Sequence, residues 1–579
     1  MPNSGRPTNI SSRGANRVPR PWRPAAAIGL LLAAAASVSR PAPAADSAPC
    51  PIQFRDVTSR SGVTFRHTDG SSGRRYIVET VTAGMATFDY DGDGLIDIYF
   101  VNGAPLPGST ERGPVYDALY RNMGDGTFRD VTQEAGVGDP GYGLGVTAAD
   151  YDNDGDQDLY ISNFGPNVLY RNNGDGTFTQ VEEQAGVRHG GMVGAGVVFL
   201  DADGDADLDL YVANYVRFTF ENHVETIVDG YPQYSGPKLY EPDPDIFYRN
   251  NGDGTFTDDS EQSGIAAHAG TGMGIVALDY DNDADTDIAV LNDVRGNFFF
   301  ENDGRGRFEE VGLANGFAYS VDGKELGSMG VDCADYNNDG WLDLYQTSYS
   351  NELPALFRNS GAGFFEEVIR SSGAGVGAYP HVNWGVGFAD FDNDGDRDLF
   401  LANGHLQDNV HLYDDTTSYE VQNLILMNTD GERFVNVSDR CGDGLAPRLS
   451  SRGAALDDFD NDGRVDIAIL NSRREATMLR NESATDHHWL DIRLQGVVTN
   501  RDGVGARVTV VSGGRSLVDE VHSGRGYQGH FGTRLYFGLG KSDTVDRVEV
   551  RWIGGVTDVV ANPPVDRLIT IAEGQGLAP

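Results

Sequence analysis

Cysteine is scarce: Cys50, Cys333 and Cys441 are the only three in 579 residues. A disulfide framework and a CxxC metal site are therefore excluded, and one bridge is the most the chain can form. Positive charge is also short, with 44 Lys and Arg against 87 Asp and Glu and a net charge of −43. Such a surface repels phosphate backbones, so nucleic acid is excluded as a natural partner. Proline is thin beside glycine, 24 against 75, while hydrophobic residues make up 39%. That composition is too apolar for a disordered tail and suits an all-β protein rich in tight turns.

Long hydrophobic runs are missing except at the start. Ala25–Val38 is apolar, follows Arg13, Arg17, Arg20 and Arg23, and precedes an Ala-Pro-Ala at 42–44. This is the pattern of a secretory signal over residues 1–45, shorter than a membrane span. The mature chain is expected to start near Ala45 or Asp46 and to be secreted, periplasmic or at the cell surface. Pro49 makes a poor lipidation box of the segment before Cys50, which favours an ordinary thiol there.

One acidic nonapeptide recurs seven times. Its side-chain oxygens at positions 1, 3, 5 and 9 are Asp89, Asp91, Asp93 and Asp97 in the first copy. They are Asp150, Asp152, Asp154 and Asp158 in the second, and Asp201, Asp203, Asp205 and Asp209 in the third. Asp279, Asp281, Asp283 and Asp287 form the fourth, and Asp335, Asn337, Asp339 and Asp343 the fifth. The last two are Asp390, Asp392, Asp394 and Asp398, then Asp458, Asp460, Asp462 and Asp466. Calcium prefers six to eight hard oxygen ligands, and alternate residues of a tight loop can turn carboxylates toward one point. The spacing predicts up to seven Ca²⁺ sites. Position 6 is glycine in five copies but Ala206 and Ala284 in two, which leaves the occupancy of those two open. No copy carries the position-12 glutamate of an EF-hand, and apolar runs of strand type flank each one. A solvated acidic turn would explain a single copy but not seven in phase.

Other signals keep the same phase. Five residues before each first Asp stands a glycine: Gly84, Gly145, Gly196, Gly274, Gly330, Gly385 and Gly453. Crowding of innermost strands around an axis accounts for them. A third strand then ends in Arg-Asn, as in LYRNNGDGTF from Leu169, and a fourth resembles TFRDVT. Four strands per unit make a propeller blade. The seventh unit stops near Asn481 without a fourth strand, whereas Phe54 begins a fourth strand without a blade, so residues 52–59 are expected to close the ring and remove its open edges. The expected fold is an all-β seven-bladed propeller over 46–482, followed by a small β domain over 487–575 of short alternating strands.

These residues resemble the FG-GAP (VCBS-like) repeats of integrin α-subunits. Together with NRDGVGARVTVVSGGR from Asn500, LYFGLG from Leu535 and VDRVEVRW from Val545, they are more similar to the ASPIC/UnbV proteins, the family that includes cartilage acidic protein. The resemblance implies an extracellular, calcium-binding, adhesive protein, and the residues of the 487–575 domain carry no recognisable catalytic set.

Topology puts all acidic turns on one face, and on the other the insertions at 103–118, 215–246 and 404–423. That second face is where a glycan or protein partner is expected, the chain acting as a monomer. The insertions carry Tyr215, Tyr231, Tyr234 and Tyr240, then His405, His411, Tyr413 and Tyr419. Such aromatics can stack on sugars or partners, but packing of their own loops is the simpler reading. His381, His405 and His411 lack local metal-ligand spacing and read as structural. The competing function is a polysaccharide-acting enzyme, and its mark would be Tyr, His and Arg side chains gathered in one pocket on that face.

Overall fold

The computed structural model describes residues 50–578; the expected signal segment lies outside them. Each acidic nonapeptide joins the first two strands of a four-stranded antiparallel sheet, and seven such sheets follow one another. Blade 1 consists of Met85–Phe88, Asp97–Phe100, Ala118–Asn122 and Phe128–Asp130. Blades 2 to 6 begin with Gly143–Ala149, Gly194–Leu200, Gly272–Leu278, Val331–Ala334 and Asn383–Ala389. Blade 7 takes three strands from Ser451–Asp457, Asp466–Asn471 and Thr477–Asn481 and its fourth from Phe54–Asp56, with Phe54 opposite Asn481.

The in-phase glycines explain how tightly the innermost strands approach. A methyl group on Gly145 would sit 2.1 Å from the Ala195 carbonyl oxygen, one on Gly330 2.2 Å from that of Trp384, and one on Gly453 2.3 Å from that of Ala83. Each innermost strand thus abuts the next blade's, and blade 7 abuts blade 1.

A second set of contacts runs round the rim. The asparagine that ends each third strand donates its side-chain amide to the carbonyl of loop position 2 in the preceding blade. Asn172 reaches Tyr90 at 2.8 Å, Asn250 reaches Tyr151 at 2.9 Å, Asn428 reaches Tyr336 at 2.9 Å, and Asn122 returns to Phe459 of blade 7 at 2.7 Å.

Residues beyond Asn481 form two further four-stranded sheets. One is ordered Arg534–Gly540, His488–Gln495, Leu568–Ala572, Gly576–Leu577, and the other Arg515–Glu520, Arg507–Ser512, Arg547–Arg551, Thr557–Ala561. Leu490, Ile492, Val508, Val510, Val550 and Trp552 fill the space between them and share a core with Tyr160, Leu169 and Phe199 of blades 2 and 3. The segment between Glu520 and Arg534 leaves this module and enters the axis of the propeller. Its backbone or side chains bond in turn to blade 1 (Thr87 N to His530 O, 3.0 Å), blade 2 (Val146 N to Gln528 O, 3.1 Å), blade 3 (Phe199 N to Ser523 O, 3.3 Å) and blade 4 (His522 Nδ1 with Ala277 O, 2.9 Å). Gly526 exchanges two backbone bonds with Val331 of blade 5, and the Tyr527 ring packs edge-on against Trp384 of blade 6. Arg525 is paired with Asp332 at 2.5 Å, both buried. A buried ion pair is tolerable only when its remaining hydrogen bonds are met; here Asp332 also accepts from Phe388 N and Arg525 donates to Cys333 O.

Candidate functional site

In each acidic loop the backbone folds round the first carboxylate. In the loop at Asp150 the amides of Asp154 and Gly155 donate to its two oxygens at 3.0 and 2.7 Å; the loops at Asp335, Asp390 and Asp458 repeat the pattern. The position-9 carboxylate is held from two sides. One oxygen of Asp158 accepts from Tyr151 N at 3.1 Å and the other from Asn172 N at 2.7 Å. The same pair of bonds recurs at Asp97, Asp209, Asp287, Asp343, Asp398 and Asp466. The Arg-Asn asparagine, read from the sequence only as a strand end, therefore both fastens the blades and orients a ligand candidate. Its recurrence at the end of every third strand, after an arginine in five of the seven and after Glu301 and Met427 in the other two, was the signal for that role.

These turns need left-handed backbone at positions 4 and 6. Position 6 has φ between 77° and 105° in every copy, and Ala206 and Ala284, both at 77°, adopt it despite their side chains. Position 4 is likewise left-handed and is always glycine or asparagine: Gly92, Asn153, Gly204, Asn282, Asn338, Asn393 and Asn461.

The loops bring carboxylates together as a cation site would. Oxygens of Asp89, Asp91 and Asp97 lie within 4.8 Å of one another, as do those of Asp150, Asp152 and Asp158; Asp201, Asp203 and Asp205; Asp279, Asp281 and Asp287; and Asp390, Asp392 and Asp398. Several clusters can therefore bind a metal ion. Oδ1 of Asp89, Asp91, Asp152, Asp203 and Asp460 is buried without a hydrogen-bond partner, which fits ligands for a hard cation better than a solvated turn. Burial first, and like charge second, raises Asp150 to about 8, helped by Asp502, and Asp394 to about 7, helped by Asp392. Some third-strand arginines already lean on the clusters, Arg121 at 2.7 Å from Asp91 and Arg480 at 2.6 Å from Asp460.

The C-terminal module covers this face. Asp502 accepts from Asp150 N at 2.8 Å, Glu520 from Asp279 N at 3.2 Å, and Arg507 donates to Gly340 O. Arg515 donates to the carbonyls of Asp394 and Gly395 at 2.8 Å each, Arg534 to Gly94 O at 3.1 Å, and Tyr536 accepts from Asp458 N at 3.3 Å. The loops of blades 1, 2, 4, 5, 6 and 7 are all touched.

On the opposite face the insertions fold down over the axis. Tyr215, Tyr234, Tyr240 and His405 are buried, whereas Tyr231, Tyr413 and Tyr419 are partly exposed and His411 is exposed. The Tyr231 and Tyr413 rings lie 6.1 Å apart and join the two long insertions. Packing of their own loops thus accounts for most of these aromatics. His405 Nδ1 accepts from Gln407 N and His381 Nδ1 is bonded to Thr417 Oγ1, local roles for both.

Tyr, His and Arg do meet here. Arg473 donates to the Tyr234 hydroxyl at 2.9 Å, its backbone amide donates to His67 Nδ1 at 3.3 Å, and its guanidinium grips Asp69 at 2.5 Å. Asp408 bridges Arg473 and Arg75, at 3.3 and 2.6 Å. Both arginines hold left-handed backbone, φ 60° and 59°, an unusual conformation for a long side chain. Proton transfer at neutral pH is nevertheless poorly served. Burial drives His67 down to about 4, and burial together with Glu79 holds the Tyr234 hydroxyl well above the ordinary phenol range.

Repeated blades with acidic turns on one face, an axial plug and a β-module closing that face define an all-β propeller of the FG-GAP type. The FG-GAP-like repeat model matches residues 89–161, 150–212, 238–290, 279–346 and 335–401, and the ASPIC and UnbV model matches 496–578. The chain belongs to the ASPIC/UnbV family of FG-GAP repeat proteins. Human cartilage acidic protein 1 is 25% identical over 436 residues, covering 72% of this chain and 60% of its own. The mouse protein is 24% identical over 454 residues, covering 74% and 65%. The chain thus spans about 60–65% of the length of these relatives. Among solved structures, an Agrocybe aegerita lectin recognising non-reducing terminal N-acetylglucosamine aligns with TM-score 0.34 and 18% identity over 61% of this chain and 79% of its own. The exotype rhamnogalacturonan lyase YesX gives 0.37 and 14% over 70% and 72%. No function follows from likenesses at this level.

Proposed function

We propose that this chain is an exported calcium-binding propeller that serves as an extracellular binding or scaffold module, presenting the insertion-bearing face to a glycan or protein partner. The observation that carries the reading is the division of the faces: the acidic side is spanned by the C-terminal module, so recognition is left to the side built from the least regular, most variable-length segments. Calcium at the Asp and Asn side chains of loop positions 1, 3, 5 and 9 would supply the positive charge that these buried carboxylates lack and hold each hairpin turn. Domain limits of 46–482 and 487–575, with 1–45 removed on export, belong to the same proposal.

The stabilising role is tested by chelation. Each site held by calcium at about a hundred times its Kd contributes about 2.7 kcal/mol. EGTA should therefore lower the melting temperature by more than about 10 °C, and restored calcium should reverse the loss; an unchanged melt would remove calcium from the account. A pull-down from glycan and surface extracts, using protein shortened within 215–246 as the control, tests the face.

The Tyr234–Arg473–His67 gathering favours a second reading, a polysaccharide-acting enzyme. The displaced acidities of Tyr234 and His67 weigh against it. Release of reducing or unsaturated ends from crude polysaccharide would reinstate it.

A further inference from the structure

At the mouth of the axis on the insertion face lies a cavity of about 240 Å³. Its walls come from blades 3 to 6 and from the segment leading into blade 1, and the plug's Tyr527 backs Trp384 behind it. Tyr215, Tyr234, Tyr349 and Trp384 supply aromatic surface, and Met273 and Met329 supply polarisable thioethers. Two carboxylates, Asp293 and Glu352, share this wall, and no Lys or Arg lines it. A methyl placed on Gly327 would lie 3.5 Å from an oxygen of each, so the two acids face the same small volume.

Neither acid is neutralised by an ion pair. Asp293 Oδ2 accepts from the Tyr215 hydroxyl at 2.7 Å and Glu352 Oε2 from Gly327 N at 2.8 Å. The cation that both feel, Lys238, has its ammonium 2.6 Å from Glu325 with its side chain 61% exposed. Arg452 stacks on Trp384 at 4.3 Å from the ring centroid, but its guanidinium is spent on the carbonyls of Gly404, Ser451 and His405 and the Ser450 hydroxyl. The wall is also strained where Asp293 is presented. Val294, β-branched and lining the cavity, has φ 53°, a conformation that costs of the order of 1–3 kcal/mol and persists only where the surroundings enforce it.

We infer that this cavity is a binding site for a small organic ammonium group, held between the Asp293 and Glu352 carboxylates and the rings of Tyr215 and Tyr349, since Arg75 already stacks on Tyr234 at 5.0 Å and Arg452 on Trp384. Aromatic faces attract a desolvated cation, and two unpaired carboxylates in the same cleft exclude anions such as uronates and sulfates. The volume suits a quaternary ammonium or a single amino sugar and is too small for a folded chain. Burial raises Asp293 to about 7, with the like charge of Glu352 adding to the shift and the Tyr215 hydroxyl opposing it. The inference refines the binding-module proposal and rests on it only for the choice of face.

The test is calorimetric titration of the full-length calcium-loaded protein with choline and with its neutral carbon isostere 3,3-dimethylbutan-1-ol, and with glucosamine against glucose. Choline or glucosamine should bind at least about tenfold more tightly than its neutral counterpart, a difference set by the charge. Asp293→Asn and Glu352→Gln, with melting curves confirming that each is folded, should each weaken that binding about tenfold. Equal binding of both members of each pair, or ammonium binding indifferent to both substitutions, overturns the inference. Glucose binding as tightly as glucosamine, with choline binding no better than its isostere, overturns it while leaving a glycan-binding module intact, so the two readings fail separately.

Discussion

At the scale of single residues, the two alanines at loop position 6 are the clearest mismatch between side chain and backbone. A left-handed alanine costs roughly 1–2 kcal/mol, and the freedom that glycine adds to the unfolded chain returns about 0.4–1 kcal/mol of any gain. Ala206→Gly and Ala284→Gly should each stabilise the protein by about 0.5–1 kcal/mol and tighten calcium at that blade. Gly340→Ala, at φ 88°, should do the reverse. Urea midpoints at fixed calcium check all three, and a neutral Gly340→Ala would mean that the turn tolerates a side chain. The sequence showed both the regularity and its two exceptions because the carboxylates and the left-handed positions of the turn all lie within nine residues.

Among elements, the telling contact is the asparagine that closes each third strand. Asn250 donates to Tyr151 O and to Leu208 O at 3.0 Å, and its own Oδ1 accepts from Gly252 N at 3.1 Å, all at a buried blade boundary. Asn250→Ala leaves those carbonyls unpaired and should cost about 2–3 kcal/mol; Asn250→Asp, which sets an acceptor against two acceptors, should cost at least as much. A change below about 0.5 kcal/mol in urea unfolding would mean that the blades do not depend on these bonds. Strands, turns, glycines and insertions were legible in the sequence because each recurs at a fixed offset from the acidic loop. The asparagine's partner was not, since it belongs to another blade, between 79 and 100 residues away for blades 2 to 7 and 337 for blade 1, at no constant interval; the bond is periodic in space and aperiodic along the chain. The insertions stayed ambiguous for a different reason: Tyr215, Tyr234 and His405 have the same composition as a recognition surface, and only burial distinguishes packing from display.

Over the whole molecule, distant segments are joined by Cys50 and Cys441, buried with their sulfurs 3.6 Å apart. A bridge needs that distance to close to about 2.05 Å. In an oxidising compartment, exchange with an oxidised dithiol carrier would take two protons and two electrons from the pair, reduce the carrier to its dithiol and leave the pair linked. Protein recovered from an exporting host without reductant should weigh two hydrogens less than the reduced form and yield a cross-linked peptide containing both cysteines. Free thiols at both positions after such export would refute the expectation. At this scale the sequence was least informative. VHSGRGYQGHFGT, the segment from Val521, reads as a glycine-rich connection without periodicity, and its partners at Thr87, Val146, Phe199 and Val331 lie hundreds of residues upstream.

The axial segment also fixes an order of events. Residues 521–533 leave the ribosome after every blade, yet the innermost strands of blades 1 to 6 bond to or pack against them. Until residues 521–533 arrive, the ring has a hollow centre with Asp332 facing no counter-ion. A chain stopped before residue 521 would carry every blade and lack the piece that fills the axis, so the propeller stays incomplete until that segment has been synthesised.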